Sequence, residues 1–282
     1  MSEIGEAIAL PEPHPAPEPK CPFCPLDPPK DFKTYPGIAN DSDILGDIME
    51  NPTLLTEKQS NARPKTGKEG EQRSSKPQPK PNPIYSNSEY GDYSCEAHHL
   101  ISGKQALAGH AIEKWIVADE LIEKDTGYSV NNADNGIWLP SIPEKFKGGT
   151  WGPKSFDEKF GIASMAIDET KLQFHKGHHR ITDPDDPTGE VHKSYDKYLK
   201  KKLTAIEERI KGWKDFCPLC EDGRQGKVKF KPTHKVNQVL DNFSKKIVRR
   251  KVSGDASRWD IFISKISLEY HKPRCTHKRT SL

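Results

Sequence analysis

No stretch of this 282-residue chain stays apolar for long enough to span a membrane, so membrane insertion is not expected. The N-terminus, MSEIGEAIALPEPHP, lacks a basic segment ahead of an apolar run, which speaks against a Sec-type signal peptide. Net charge is scarce as well, at +3 at pH 7. A value so near zero does not announce a nucleic-acid binder, and any such function must rest on where the cations are placed. Apolar residues make up only 33% of the chain against 30% charged, with 24 prolines, which is lean for one core of this length. Part of the chain is therefore expected to lack a packed core.

That expectation can be placed along the sequence. The first twenty residues or so are rich in Pro and Glu and read as extended, residues 40–58 hold one short helix, and residues 60–83 read as a flexible linker. Globular texture begins near Ile84. Residues 84–101 are aromatic and β-prone and contain a strand. Leu107, Ala111, Trp115, Ala118 and Ile122 recur at helical spacing and predict a helix from Lys104 to Lys124 with those residues buried. Residues 128–140 read as a turn entering a short strand, and Phe156–Thr170 as a helix. A long helix from Val191 to Trp213 has an apolar stripe of Tyr195, Leu199, Leu203, Ile206, Ile210 and Trp213, with Lys197, Lys200, Lys201, Glu207 and Glu208 opposite. A helix at 233–250 and an alternating strand at 258–270 complete the pattern. The whole reads as α+β, in three parts: an arm at 1–83, a central domain at 84–213 and a basic extension at 214–282.

Chemistry concentrates in histidine. Five of the 11 histidines fall in two tight groups, His98-His99 and His175 with His178-His179, and His192 follows at the start of the long helix. Imidazole is the commonest ligand for catalytic transition metals, so clustering points to a metal site. The adjacency of His98 and His99 carries more. On a strand, successive side chains point to opposite sides, so the two rings cannot easily share one ion. The pair suggests a division of labour between a ligand and a general base. His110, inside the expected helix, reads as structural.

The segments Glu96-Ala97-His98-His99-Leu100-Ile101, Asn135-Gly136-Ile137-Trp138-Leu139-Pro140 and Phe174-His175-Lys176-Gly177-His178-His179, in this order, resemble the AHH family of HNH/endonuclease VII nucleases. The resemblance covers roughly residues 90–210. It implies a ββα-metal core, with His98 as a metal ligand and His99 as the base that deprotonates the attacking water. It further implies that Asn135 braces the loop holding His99, and that His175 with a second histidine completes the site of one divalent ion (Mg, Mn, Ni or Zn). The last ligand is open. Thr182 stands where the family places a Tyr after the final His, whereas His192-Lys193-Ser194-Tyr195 restores that spacing. His178 and His179 rank level, with His192 behind them. The resemblance also implies double-stranded DNA as substrate, and a polymorphic-toxin or type VI secretion context. In that context the chain would be made in a bacterial cytoplasm, meet a secretion-system component and a cognate immunity protein, and act in the target-cell cytoplasm.

Two further features flank this region. Cys21-Pro22-Phe23-Cys24 and Cys217-Pro218-Leu219-Cys220 are near copies, and a pair of such turns can present four thiolates to one structural zinc. A competing set joins Cys217 and Cys220 to His234, His271, Cys275 or His277. Cys95 reads as merely buried. Between Arg224 and Lys251 ten cations face one acid, Asp241. Lys245, Lys246, Arg249, Arg250 and Lys251 are the candidates for contact with the phosphate backbone.

Overall fold

A computed structural model describes residues 40–52, 76–118, 121–122, 125–176, 190–214, 234–248 and 252–274, together with Gly37 and Leu54. For residues 190–194, 213–214 and 234–235 it describes the backbone alone. The fold is α+β. Helix α1 (Ser42–Glu50) precedes a three-stranded antiparallel sheet of β1 (Tyr85–Asn87), β2 (Gly91–His99) and β3 (Gly136–Pro143), in the order β1-β2-β3. Helices α2 (Phe156–Thr170), α3 (Glu190–Lys214), α4 (His234–Ile247) and α5 (Lys265–His271) follow.

Local chemistry explains where these elements begin. Asp41 caps α1, its carboxylate accepting from the amides of Asp43 and Ile44 at 2.9 and 3.0 Å. Ser155 and Glu158 form a reciprocal capping box on α2. The turn between β1 and β2 is closed by Asn87, whose Oδ1 accepts from the amides of Glu89 and Tyr90. It ends at Gly91, whose φ of 74° suits glycine.

Two cores and a smaller cluster hold the elements together. In the first core the α3 stripe Tyr195, Leu199, Leu203, Ile206 and Ile210 meets Val236, Leu240 and Phe243 of α4 and the segment linking β2 to β3. Each such side chain contributes about 1.5–3 kcal/mol on full burial. The second core joins Tyr93, Ile162 and Ile167 to Trp259 and Tyr270. Leu45, Ile48 and Met49 of α1 form the smaller cluster with Ala97 and Ala133, so the N-terminal arm packs directly on the strand that carries the histidine pair.

Three expectations are corrected. The segment 104–124 is not one helix. It forms a π-helical turn, Gly103–Leu107, capped by Ser102, then a 3-10 helix, Ala111–Trp115, capped by His110. Gly109 between them takes a φ of 73°, which breaks the helical path. Ala111 and Ala118 are consequently exposed, while Ile112 and Ile116 join Trp115 inside.

The alternating segment 258–270 is not a strand, since Ala256–Arg258 is a 3-10 turn and Lys265–His271 is α5. Its alternation is nonetheless used. The side chain of Gln173 stands in for a neighbouring strand, accepting from the amide of Ile263 at 2.9 Å and donating to the carbonyl of Ile261 at 2.8 Å. Ser264 then caps α5.

Glu207 does not share the solvated face of α3. It is buried, accepting from the indole of Trp115 at 3.3 Å and pairing with Lys211 at 2.8 Å. A charged residue beside the apolar stripe becomes tolerable there because both partners satisfy its carboxylate.

Candidate active site

The end of β2 sorts its side chains by strand alternation. Glu96 and His98 fall on one face, Ala97 and His99 on the other. On the first face, the Nδ1 of His175 donates to Glu96 Oε2 at 2.7 Å, and Ser141 Oγ donates to Glu96 Oε1 at 2.9 Å. The backbone amide of His175 donates to the carbonyl of Pro140 at 2.8 Å, seating the residue along β3. Burial alone would push the Glu96 carboxyl up, yet the bonds from His175 and Ser141 and the charge of Lys147 hold it below the usual range. The carboxylate is therefore ionised near neutrality and orients the imidazole.

The His98 ring lies 5.2 Å from that of His175, centroid to centroid and inclined at 64°. Tyr195 of α3 meets His98 edge-on at 6.0 Å. Its hydroxyl donates to the carbonyl of Leu100 at 2.6 Å, tying α3 to the end of β2. Burial pushes the Tyr195 phenol well up, so it remains a donor.

On the other face, His99 Nε2 and Asn131 Oδ1 are 2.8 Å apart. Burial pulls the His99 imidazole down to about 4, with Asn131 and the charge of Asp41 opposing that shift. The ring is consequently neutral at pH 7, with one nitrogen lone pair available to accept a proton.

Asn135 is fully buried, and its hydrogen bonds go to other residues than the two histidines. Its Oδ1 accepts from the Ile101 amide at 2.8 Å and from Ser244 Oγ of α4 at 2.9 Å. Its Nδ2 donates to the carbonyls of Ile101 and Val130, and its own carbonyl accepts from the Leu100 amide at 2.8 Å. These bonds fasten the chain leaving His99 to the loop entering β3.

Both histidine faces open onto one cleft of about 1090 Å³, which His98, His99, His175 and Tyr195 line. Asp43, Asp47 and Glu50 of α1, with Lys80, Lys104 and Lys147, supply further charge. Asp196, also on this wall, has its carboxyl pushed up to about 6 by burial, with Lys200 opposing.

Among the described residues no three His, Cys, Asp or Glu side chains form a metal-holding group. His98 and His175 nevertheless fit two places of one. Their rings lie 5.2 Å apart at the cleft, and with Nδ1 engaged by Glu96, Nε2 is the nitrogen through which His175 would hold an ion. His178 and His179 lie outside the described residues, as does the side chain of His192. Cys21, Cys24, Cys217 and Cys220 lie outside them too, with Cys275, His277 and the side chain of His234 from the competing set. His271 bonds the Ala256 carbonyl through Nδ1 at 2.6 Å. Cys95 is buried, its thiol donating to the Pro81 carbonyl.

In the basic extension, Lys245 approaches Asp134 at 3.5 Å and Lys246 occupies the last turn of α4. Arg249, Arg250 and Lys251 lie outside the described residues. Sequence reasoning gave no role to Glu96, Asn131 or Ser244. The spacing of two between Glu96 and His98 does place both on one strand face and is a usable signal. Asn131 lies 32 positions from His99, and Ser244 lies 109 positions from Asn135. No local pattern links either pair.

Residues 84–215 match the profile of AHH, described as a nuclease family of the HNH/ENDO VII superfamily with conserved AHH. No curated protein and no solved structure matches the chain.

Proposed function

We propose that this chain, whose residues 84–215 belong to the AHH family of HNH/ENDO VII superfamily nucleases, is a metal-dependent endonuclease that hydrolyses DNA with little sequence specificity. The observation that carries this reading is the convergence of His98, His99 and His175 on one open cleft within the matched segment. The arrangement suits a ββα-metal core in which β2 and β3 present the His pair and α3 backs it through Tyr195.

In this reading His98 and His175 hold one divalent ion, with a further ligand from His178, His179 or His192. Once bound, the ion supplies Lewis acidity to the phosphodiester and charge for the departing oxygen. The protein's own part is the work of His99. Its neutral ring accepts a proton from the water whose oxygen attacks phosphorus, as the bond from phosphorus to the leaving oxygen breaks. Asn135 acts as a brace, since its bonds fix the backbone around Leu100 and Ile101. The basic extension contributes phosphate contacts, and the two Cys-Pro-x-Cys turns hold a structural zinc. An antibacterial role, with a cognate immunity protein and a secretion route, follows from the family resemblance and belongs to the same proposal.

The test is degradation of plasmid DNA, with RNA in parallel, in the presence of Mg²⁺, Mn²⁺, Ni²⁺ or Zn²⁺. Wild type should cleave with at least one of these ions, and His99→Ala and His98→Ala should not. Equal survival of substrate with wild type and both variants across all four ions would sink the reading. Toxicity on cytoplasmic expression, abolished by His98→Ala, tests the antibacterial role.

A further inference from the structure

We propose that Asn131 is the positioning residue of His99, selecting the tautomer and orientation in which His99 acts, and that the N-terminal arm shares in this task through the Asp41 amide. The proposal rests on the reading of His99 as the base.

Asn131 is buried to 1% exposure, and its Oδ1 meets two groups: Nε2 of His99 at 2.8 Å and the backbone amide of Asp41 at 3.2 Å. The second contact decides the nature of the first. A backbone N–H can only donate, so the group facing it must be the oxygen of the Asn131 amide and not its nitrogen. An oxygen of this kind can only accept. His99 must therefore donate from Nε2, which makes Nδ1 the lone-pair nitrogen of the neutral ring. The base is thus fixed in one of its two tautomers by a partner that has no proton to give back.

The position of that oxygen is itself held. The amide of Asn131 donates to Ser129 Oγ at 3.2 Å, which anchors the residue within its loop. Asp41 is anchored by its capping bonds to α1 and by its carbonyl, which accepts from the Leu45 amide at 3.0 Å. Asp41 lies outside the matched segment 84–215, so part of the base's support comes from the arm.

Long-range ¹H–¹⁵N imidazole spectra of the full-length protein at neutral pH read the tautomer directly, with the His99 signals assigned by their loss in His99→Ala. Wild type should show His99 protonated at Nε2. Asn131→Ala should give a mixture of tautomers and lower kcat for plasmid cleavage about 10- to 100-fold, with KM for DNA held within about twofold. Asn131→Asp keeps an acceptor oxygen at the same place and should retain the Nε2–H tautomer and recover most of kcat. A wild-type His99 protonated at Nδ1 would overturn the proposal without any variant, even if Asn131→Ala failed to fold. An unshifted tautomer or an undiminished kcat in a folded Asn131→Ala protein would overturn it as well. The parent reading fails separately, if His99→Ala cleaves DNA as fast as wild type whatever the spectra show.

Discussion

Glu96 and His175, 79 positions apart, meet through a 2.7 Å bond between a carboxylate oxygen and Nδ1. The contact joins the strand that carries the histidine pair to the segment that carries the second histidine group. It engages Nδ1, so coordination by His175 would use Nε2.

If His175 coordinates the ion, Glu96→Gln should weaken binding of Ni²⁺ or Zn²⁺ by about 10- to 100-fold, because an imidazole held in orientation by a carboxylate is a better ligand. Isothermal titration of the metal-free protein measures this without reference to activity. Unchanged affinity would remove His175 from the ligand set or Glu96 from its support.

Asn135 holds the site from the inside, and its bonds can be removed in steps. Ser244→Ala deletes one neutral partner of the Asn135 carbonyl oxygen, which keeps the Ile101 amide, and should cost about 0.5–1.5 kcal/mol. Asn135→Ala leaves the Ile101 amide and the Ile101 and Val130 carbonyls without this partner, and should cost more than about 3 kcal/mol. Urea unfolding followed by circular dichroism compares the two. Equal losses would mean that the brace acts chiefly through α4.

The arm's grip on the sheet depends on the missing side chain of Gly136. A Cβ there would run into Met49 Sδ and stand 3.0 Å from Leu45 Cδ1. Gly136→Ala should therefore destabilise the fold by about 1–3 kcal/mol through overpacking. Met49→Ala removes the obstructing atoms, so a double-mutant cycle should show a coupling of at least about 0.5 kcal/mol that favours the pair. Strict additivity would show that α1 shifts freely and does not press on β3.

Asp196 gives the cleft a pH signature. Its carboxyl sits at about 6 in the folded chain, above the ordinary aspartate value of about 3.9. The native state thus binds this proton more tightly than the unfolded chain does. The resulting contribution to stability is complete below about pH 4 and is lost as pH rises through about 6. In chelator-treated protein, Asp196→Asn should match wild type near pH 4 and exceed it in stability at pH 7. Parallel stability curves across that range would show that Asp196 titrates as an exposed carboxylate.

Some of this protein is determined by local sequence alone. Helix α3 follows from its apolar stripe at helical spacing, and the helices near 156–170 and 233–250 and the strands within 84–101 and 128–140 were also expected from local sequence, because such patterns depend only on neighbours along the chain. The placement of His98 and His99 on opposite faces of β2 was legible for the same reason, since alternation on a strand needs no tertiary information. The failed elements share a cause. Helical spacing at 104–122 was real, but Gly109 took a left-handed conformation that separates the turn Gly103–Leu107 from the 3-10 helix Ala111–Trp115. Alternation at 259–263 was also real, but Gln173 supplied the hydrogen bonds that a partner strand would have provided.

What surrounds the histidines was decided only by tertiary structure. Glu96 on His175, Asn131 on His99 and Ser244 on Asn135 join residues 79, 32 and 109 positions apart. A hydrogen bond depends on where two atoms meet in space, and a sequence records distance only along the chain. The identities of the clustered histidines were thus written locally, while their surroundings became fixed only when the arm, the sheet and α4 closed around the loop from Asn131 to Asn135.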